Sequence, residues 1–276
     1  MLRLLVIDDS FTVGANVAEK DAYPQVLERL LRRELARDVE VVNSGVGGWD
    51  PFQYAQYYQH YGRAFKPDLV FIGLFVGNDT YSGVADIKNQ RTAVLGRRVS
   101  PEAAAKPGIG LRVAMYEHSH LWRLLSGPIL AEGHASFRRR DCADFTEQYV
   151  EIQRSRLNTH LKHRPPALQK ALERTVGLIA RIVELASEEG VPVVVAMFPD
   201  ENQLNPHLQR LLLGQEDGQR YDFKMPQRDL HEQLTGIGAE VIDLLPAFIA
   251  DPRCLYMNDT HWTEEGPRAR GCEPGV

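Results

Sequence analysis

The sequence has few cysteines, no long apolar run and no excess of basic residues. Its 276 residues include only three cysteines, at positions 142, 254 and 272, and their spacing forms neither a CxxC pair nor a metal-binding pattern. An odd, sparse set of this kind predicts reduced thiols and not a disulfide framework. No apolar run approaches the roughly 18 residues that a membrane span requires. The net charge of −5 gives no reason to expect nucleic acid or an anionic membrane surface as a partner.

A signal peptide is also missing from the sequence. The chain begins inside its first apolar segment, with no charged region ahead of it. We therefore expect a soluble, cytoplasmic protein, although an exported protein whose leader had been removed would present the same sequence. The composition, with 43% hydrophobic and 25% charged residues, is that of an ordinary globular protein. It contains no information on the oligomeric state.

Short apolar runs typical of buried strands alternate with segments of helical periodicity. The predicted strands are residues 2–7, 39–43, 68–75, 191–198 and 239–244, and the predicted helices are residues 23–36, 51–62, 168–188 and 225–235. This alternation predicts a doubly wound, flavodoxin-like α/β fold, in which a five-stranded parallel sheet is flanked by helices. The tyrosines of the second helix lie at helical spacing, which predicts a packing face.

Two segments interrupt the alternation. Residues 80–166, after the third strand, are too many for an ordinary connection, and we expect them to form a partly helical insertion, a cap or side lobe. Residues 200–223, rich in Asn, Gln and Gly, form a shorter excursion. We therefore predict a single domain over residues 1–276 that carries both.

The first strand leads into LLVIDDSFTVG (residues 4–14), which has two incompatible interpretations. Paired carboxylates after a first strand are typical of a phosphorylatable receiver domain with bound Mg²⁺. A receiver also requires an aspartate in its third strand, where this chain has Gly73, and it requires Ser/Thr after the fourth strand and Lys-Pro after the fifth. VAMFPD and VIDLLPAF supply neither. The receiver interpretation fails.

The other interpretation makes Ser10 a nucleophile, which requires a base, a group that orients the base, and donors for an oxyanion. In a doubly wound sheet these groups belong at the carboxyl ends of strands, where loops converge on one crevice. Ser10 follows the first strand, NSGVGGWD (43–50) the second and GND (77–79) the third, and NDTHWT (258–263) lies beyond the fifth. Every part that the chemistry needs is therefore available at that edge.

These four segments, in this order, resemble the four sequence blocks of the SGNH hydrolases, the GDSL-like esterases and lipases. The resemblance implies that Ser10 is the nucleophile, His261 the general base and Asp259 the group that orients the imidazole. It also implies an oxyanion hole made by the backbone N–H groups of Ser10 and Gly48 and the side-chain amide of Asn78. No metal or organic cofactor is implied.

Three residues beside the predicted site, Asp9, Trp49 and Trp262, are candidates to line a pocket. The reaction we expect is hydrolysis of a carbohydrate ester or another small acylated metabolite through an acyl-Ser10 intermediate. An acyltransferase of the same fold would use the same intermediate. A weakened ligand-binding relative is the alternative from another class.

Two features depart from the family pattern. Asp8 stands where the family has glycine, and the chain ends in the polar segment PRARGCEPGV (267–276) where an amphipathic helix is usual. A carboxylate beside Ser10 would either slow the reaction through its charge or pair with a cation such as Arg3. On sequence grounds, Asp8→Gly should therefore leave kcat/KM unchanged or raise it.

Overall fold

The structure, a computed structural model, describes residues 1–15, 17–81, 92–94, 97–99, 141–214 and 218–268. The chain forms two compact units, one made of Met1–Ser82 with Arg139–Val276 and the other of Gly83–Arg138. In the second unit the described residues form an antiparallel pair, β4 (Thr92–Val94) and β5 (Arg97–Val99). Most of the insertion predicted over residues 80–166 lies outside the described residues, so its role as a cap stays a prediction.

The first unit is built on one sheet of five parallel strands. They are β1 (Leu2–Ile7), β2 (Val39–Asn43), β3 (Leu69–Phe75), β6 (Val193–Phe198) and β7 (Glu240–Asp243). The strand order is β2-β1-β3-β6-β7, which places the first strand of the chain second in the sheet. This is the order of flavodoxin-like doubly wound folds, so the predicted fold class is confirmed.

Helices connect the strands and cover the sheet. They are α1 (Ser10–Val13), α2 (Tyr23–Leu35), α3 (Pro51–His60), α4 (Glu147–Arg156), α5 (Pro166–Ser187), α6 (Pro206–Leu213), α7 (Met225–Gly236) and α8 (Leu245–Ala250). The four predicted helices are present with ends shifted by one or two residues, and α1, α4, α6 and α8 were not predicted. No helix among the described residues is long and apolar enough to cross a membrane.

Alternate residues of β1 contribute to different cores. Leu5 and Ile7 belong to the core that contains Tyr54 and Tyr58 of α3 and the apolar face of α5. Val6 points to the other face of the sheet and packs in a second core, whose aromatic members are Phe11, Tyr23, Phe75, Phe198, Phe248, Tyr256 and Trp262. Successive side chains of a strand point to opposite faces, so one apolar run supplies both cores. The second core supports the loops that carry the predicted site.

The cysteine prediction was wrong. Cys142 and Cys254 form a disulfide that joins segments 112 residues apart, with their Cα atoms 5.3 Å from each other. Disulfide formation depends on this distance in the folded chain, and sequence spacing contains no information about it. The bond attaches the segment that precedes α4 to the chain just before Asp259.

Candidate active site

The turn after β1 holds Ser10 at the first position of α1. Asp9 caps this short helix, since its Oδ1 accepts a hydrogen bond from the N–H of Phe11 at 2.9 Å. At the first position of a helix the Ser10 N–H has no partner in the helix's own hydrogen-bond ladder. The turn ends at Gly14, with φ +75°, where a Cβ would lie 2.5 Å from the Cβ of Ala22. Glycine is therefore required there for both its conformation and its size.

The loop that carries the predicted base and acid is closed like a hairpin. Met257 N–H donates to the His261 carbonyl at 2.8 Å, and Tyr256 and Trp262 form an antiparallel bridge. At the tip, Thr260 adopts φ +77°, a conformation that β-branched residues rarely adopt. This strained residue separates Asp259 from His261 and turns the backbone so that both side chains meet.

Three side chains predicted from the sequence lie in one hydrogen-bonded row. His261 Nε2 is 2.7 Å from Ser10 Oγ, and His261 Nδ1 is 2.9 Å from Asp259 Oδ2. The other oxygen of Asp259 accepts the backbone N–H of His261 at 3.2 Å, which fixes the carboxylate against its own loop. Ser10 and His261 are 251 residues apart in the sequence. A serine, an imidazole and a carboxylate in this order can transfer a proton away from the serine hydroxyl as it attacks a carbonyl carbon.

The second loop, after β2, approaches the nucleophile through its glycines. A Cβ on Gly47 would lie 4.0 Å from the Cβ of Ser10. Trp49 N–H donates to the Val46 carbonyl at 3.1 Å, and Gly48 has φ +81°. This geometry is that of a β-turn that needs glycine at its third position. Gly48, predicted for the oxyanion hole, therefore lies in a tight turn beside Ser10.

The third loop, after β3, presents Asn78 with its side chain exposed. Asn78 Nδ2 donates to Asp9 Oδ2 at 3.1 Å, so the amide is held by the residue that precedes the nucleophile. Asp9 itself is only 1% exposed. It was predicted as a candidate to line the pocket, but the structure buries it under the nucleophile turn, where it orients Asn78 and caps α1.

Burial raises the pKa of Asp9, and this is the largest influence on it. Hydrogen bonds from the Phe11 N–H and the Asn78 amide, and the charge of His261, lower that pKa by smaller amounts. The donors around Asp9 thus favour its carboxylate form against the desolvation that opposes it.

The two tryptophans that were candidates for the pocket differ in their surroundings. Trp262 is buried against Phe11, with ring centroids 4.8 Å apart, and it also lines an open pocket beside Ser10. The residues that line this pocket are Ser10, Phe11, Gly14, Ala15, Val17, Ala22, Tyr23, His261, Trp262, Thr263 and Pro267. Trp49 is half-buried and packs on Tyr57 at 5.4 Å. The pocket wall beside the nucleophile is therefore made mainly of small and apolar side chains.

Pairing of Asp8 with Arg3 was one expectation from the sequence, and the structure does not show it. The Arg3 guanidinium binds Glu40 at 2.5 Å and the Phe65 carbonyl at 2.6 Å. Asp8 is fully buried beneath Ser10 and is hydrogen-bonded to Thr12 and Tyr54. The length of β1 explains the difference, because Arg3 lies near the start of this strand and Asp8 just past its end.

Sequence reasoning missed the residues that brace the catalytic loop from α4. Arg156 lies 3.4 Å from both oxygens of buried Asp200, donates to Thr260 Oγ1 at 3.4 Å, and stacks over the Phe75 ring at 5.1 Å. The amide of Asn258 donates to the Asp144 carbonyl at 2.9 Å. No sequence motif marks these contacts, because each joins segments far apart in the chain.

Among the described residues, no group of three or more His, Cys, Asp or Glu side chains is arranged to hold a metal ion. The buried carboxyl groups of Asp8 and Asp9 after β1 are hydrogen-bonded to hydroxyl and amide groups.

Comparisons with known proteins agree with the geometry. The family model of the GDSL-like Lipase/Acylhydrolase family matches residues 9–269. The structure of TesA superposes with a TM-score of 0.50 at 13% sequence identity, covering 96% of this chain and 92% of that one. The acetyl xylan esterase AlAXEase superposes with a TM-score of 0.50 at 13% identity, covering 97% and 94%. The search of curated proteins gave no match. At identities this low, the two superpositions show a shared fold alone. The match to the family model is what places the sequence in a family.

Proposed function

The chain belongs to the GDSL-like lipase/acylhydrolase family of serine carboxylic ester hydrolases, and we propose that it hydrolyses small esters through an acyl-Ser10 intermediate. The observation that carries the proposal is the row of Ser10 Oγ, His261 and Asp259, with separations of 2.7 and 2.9 Å. A serine hydroxyl becomes an effective nucleophile when a base accepts its proton as the bond to the carbonyl carbon forms.

In the first half of the reaction, Ser10 Oγ attacks the ester carbonyl and its proton passes to His261 Nε2. Asp259 holds the Nδ1–H and stabilises the imidazolium that results. The imidazolium then gives its proton to the departing alkoxide, which leaves Ser10 acylated. In the second half His261 takes a proton from water as the water oxygen attacks the acyl carbon. The bond from that carbon to Ser10 Oγ then breaks, the acid leaves, and the imidazolium returns its proton to Ser10 Oγ.

The oxyanion of both tetrahedral intermediates would be held by the N–H groups of Ser10 and Gly48 and by Asn78. A side-chain amide has two N–H bonds. One of those on Asn78 is directed to Asp9 at 3.1 Å, and the other is available for the substrate. Each such donor lowers the barrier by about 3 kcal/mol when it is fixed in advance.

The pocket beside Ser10 supports a small acyl group or a small leaving group. Gly14, Ala15, Val17 and Ala22 form much of its wall, so small side chains border the space beside the nucleophile. We propose a carbohydrate ester or another small acylated metabolite as the substrate. AlAXEase, named above, is an acetyl xylan esterase, but at 13% identity its likeness concerns the fold alone.

Two alternatives share the fold. An acyltransferase would resolve acyl-Ser10 with an alcohol in place of water. A weakened binding protein was suggested by Asp8 and the polar tail. Asp8 is buried and hydrogen-bonded beneath the turn, so it does not line the pocket beside Ser10. Residues 269–276 of the tail lie outside the described residues.

The test is steady-state hydrolysis of p-nitrophenyl esters with acyl chains of two to twelve carbons. We expect kcat/KM to be highest for the shortest acyl groups and to be abolished in Ser10→Ala. Added methanol or glycerol then separates the two reactions, because a hydrolase forms mainly the free acid and a transferase mainly the new ester. No hydrolysis and no transfer by the folded protein would contradict the proposal.

A further inference from the structure

A buried carboxyl group lies behind the nucleophile, and the triad makes no use of it. Asp8 is 0% exposed and both of its oxygens have partners. Oδ2 accepts a hydrogen bond from Thr12 Oγ1 at 2.7 Å, and Oδ1 is 3.2 Å from the hydroxyl of Tyr54.

The contacts of Asp8 extend in both directions. On one side, Thr12 Oγ1 is 2.5 Å from the hydroxyl of Tyr23 on α2. On the other side, the hydroxyl of Tyr54 is also 3.4 Å from Asp79 Oδ2, which accepts the Phe75 N–H at 2.9 Å. A continuous polar network, made of Tyr23, Thr12, Asp8, Tyr54 and Asp79, thus runs from α2 to the turn after β3.

Two members of this polar network lie next to groups that the reaction needs. Thr12 is two residues after Ser10 in the same short helix, and Asp79 directly follows Asn78. The relative position of the nucleophile and the side-chain oxyanion donor therefore depends on contacts that pass through Asp8 and Tyr54. Misplacement by about 1 Å at such a site costs up to about 100-fold in rate.

The sheet makes room for the side chain of Asp8. At Gly73 in β3, a Cβ would lie 2.5 Å from Asp8 Oδ2 and 2.8 Å from the Phe198 ring. The Asp8 carboxyl group and the Phe198 ring therefore leave no space for a side chain at Gly73. Replacing Asp8 by glycine would leave a void and two buried hydroxyl groups, on Thr12 and Tyr54, without this partner, which is costly in a protein interior.

The groups that face Asp8 come from every element around it. They are Thr12 from α1, Tyr23 beyond it from α2, Tyr54 from α3, Asp79 from the turn after β3 and Asp9 from its own turn, while Gly73 and Phe198 contribute no charge. Burial first, and then the charge of Asp9, raise the pKa of Asp8 well above its usual range. Burial first, and then the charges of Asp9 and Asp8, do the same to the pKa of Asp79.

A neutral Asp8 would also complete the hydrogen bonds of the polar network. The single hydroxyl proton of Tyr54 faces two carboxyl groups, and it can serve only one of them at a time. With a proton on Asp8, that acid donates to Tyr54 and Tyr54 donates to Asp79, so every link has one donor and one acceptor.

We propose that Asp8 is a positioning residue, which links Thr12 to Tyr54 and thereby fixes the turn of Ser10 relative to the turn of Asn78. This inference rests on the proposed ester hydrolysis. It replaces the expectation from the sequence that Asp8→Gly is neutral or beneficial.

The test compares Asp8→Asn, Asp8→Ala and Asp8→Gly in the full chain, with p-nitrophenyl acetate as the substrate. Asparagine keeps a neutral donor and acceptor of the same size, so kcat should stay within about threefold of wild type. Alanine and glycine should lower kcat by about 10- to 100-fold with little change in KM. Asp243→Ala, at the end of β7, is the matched control and should retain wild-type kcat.

Tyr54→Phe decides the question if the Asp8 variants fail to fold, because it removes the link to Asp79 and keeps the ring in the core. It should lower kcat severalfold, again with KM unchanged. Wild-type kcat in Tyr54→Phe or in folded Asp8→Ala, or an Asp8→Asn as slow as Asp8→Ala, would overturn the inference while the hydrolase proposal stands. Wild-type protein that is inactive and unlabelled by a fluorophosphonate would overturn both.

Discussion

Two aspartates flank the nucleophile turn, Asp259 on its open side and Asp8 on its buried side. The Asp259 side chain is 13% exposed and contacts an imidazole, whereas Asp8 is fully buried and contacts hydroxyl groups. An imidazole that gains a proton during a reaction needs a negative partner. Burial, and then the charge of Asp9, raise the pKa of Asp8, and the hydrogen bonds with Thr12 and Tyr54 oppose this shift by smaller amounts. The same residue type therefore serves the chemistry in one place and the geometry in the other.

The difference in role between the two aspartates is tested most directly by removing the charge of Asp259 and keeping its shape. We expect Asp259→Asn to lower kcat by about 10⁴-fold, because the amide favours the wrong imidazole tautomer and does not stabilise the imidazolium. Thermal unfolding should be nearly unchanged, since asparagine has the size and shape of aspartate. Asp8→Asn, the same chemical change on the buried side, is the matched control and should be nearly neutral. Similar losses in both variants would show that the two carboxyl groups do not differ in role.

The oxyanion donor that both sides position is the next target. Asn78→Ala should lower kcat by about 10²- to 10³-fold with KM changed little, because the donor acts mainly on the charge that develops in the transition state. Asn158→Ala, at an exposed position, serves as the control. A change confined to KM would instead indicate that Asn78 binds the substrate in its ground state.

The disulfide is close in the sequence to Asp259, on the open side. Cys254 precedes Asp259 by five residues, and Cys142 ties it to the segment before α4. Cys142→Ser with Cys254→Ser should reduce the free energy of unfolding by about 2–4 kcal/mol. Cys272→Ser controls for the loss of a thiol. Equal unfolding free energies in denaturant for the double variant and the wild type would contradict this expectation.

The burial of Asp8 should affect how the free energy of unfolding depends on pH. Because the folded state raises the pKa of Asp8, it holds this proton more tightly than the unfolded chain does. The unfolding free energy of the wild type should therefore fall as the pH rises from about 4 towards the raised pKa, by up to about 1.4 kcal/mol per pH unit. Asp8→Asn lacks this contribution, so its stability relative to wild type should increase with pH.

Denaturant titrations of both proteins between pH 5 and 8 measure that difference. Asp79→Asn should show the same sign, since burial also raises the pKa of Asp79. A difference that does not change with pH would mean that Asp8 titrates as an ordinary aspartate.

The sheet and the row of catalytic side chains could be predicted because their signals are local. Each strand is one short apolar run, and Ser10, Asn78 and His261 each follow such runs within recognisable blocks. The helix α6 also had a local signal that went unused. Asn205 caps it by accepting from His207 N–H at 3.0 Å, and Pro206 follows at its first position.

The contacts that brace the site could not be predicted, because they depend on distances across the folded chain. The disulfide closes a separation of 112 residues, and the contact of Tyr54 with Asp8 spans 46. Helical spacing places Tyr54 on a packed face, but it says nothing about which group its hydroxyl meets. The raised pKa of Asp8 likewise follows first from burial, which the sequence does not specify.

The central claim is that Ser10 forms the covalent intermediate, and a fluorophosphonate tests it most directly. Wild-type protein is treated with the reagent, digested, and mapped by mass spectrometry, beside Ser10→Ala, His261→Ala and the control Ser187→Ala. We predict one adduct per chain, located on Ser10, absent from Ser10→Ala, much slower in His261→Ala and unchanged in Ser187→Ala. An adduct on another residue, or no adduct in well-folded wild-type protein, would contradict the account.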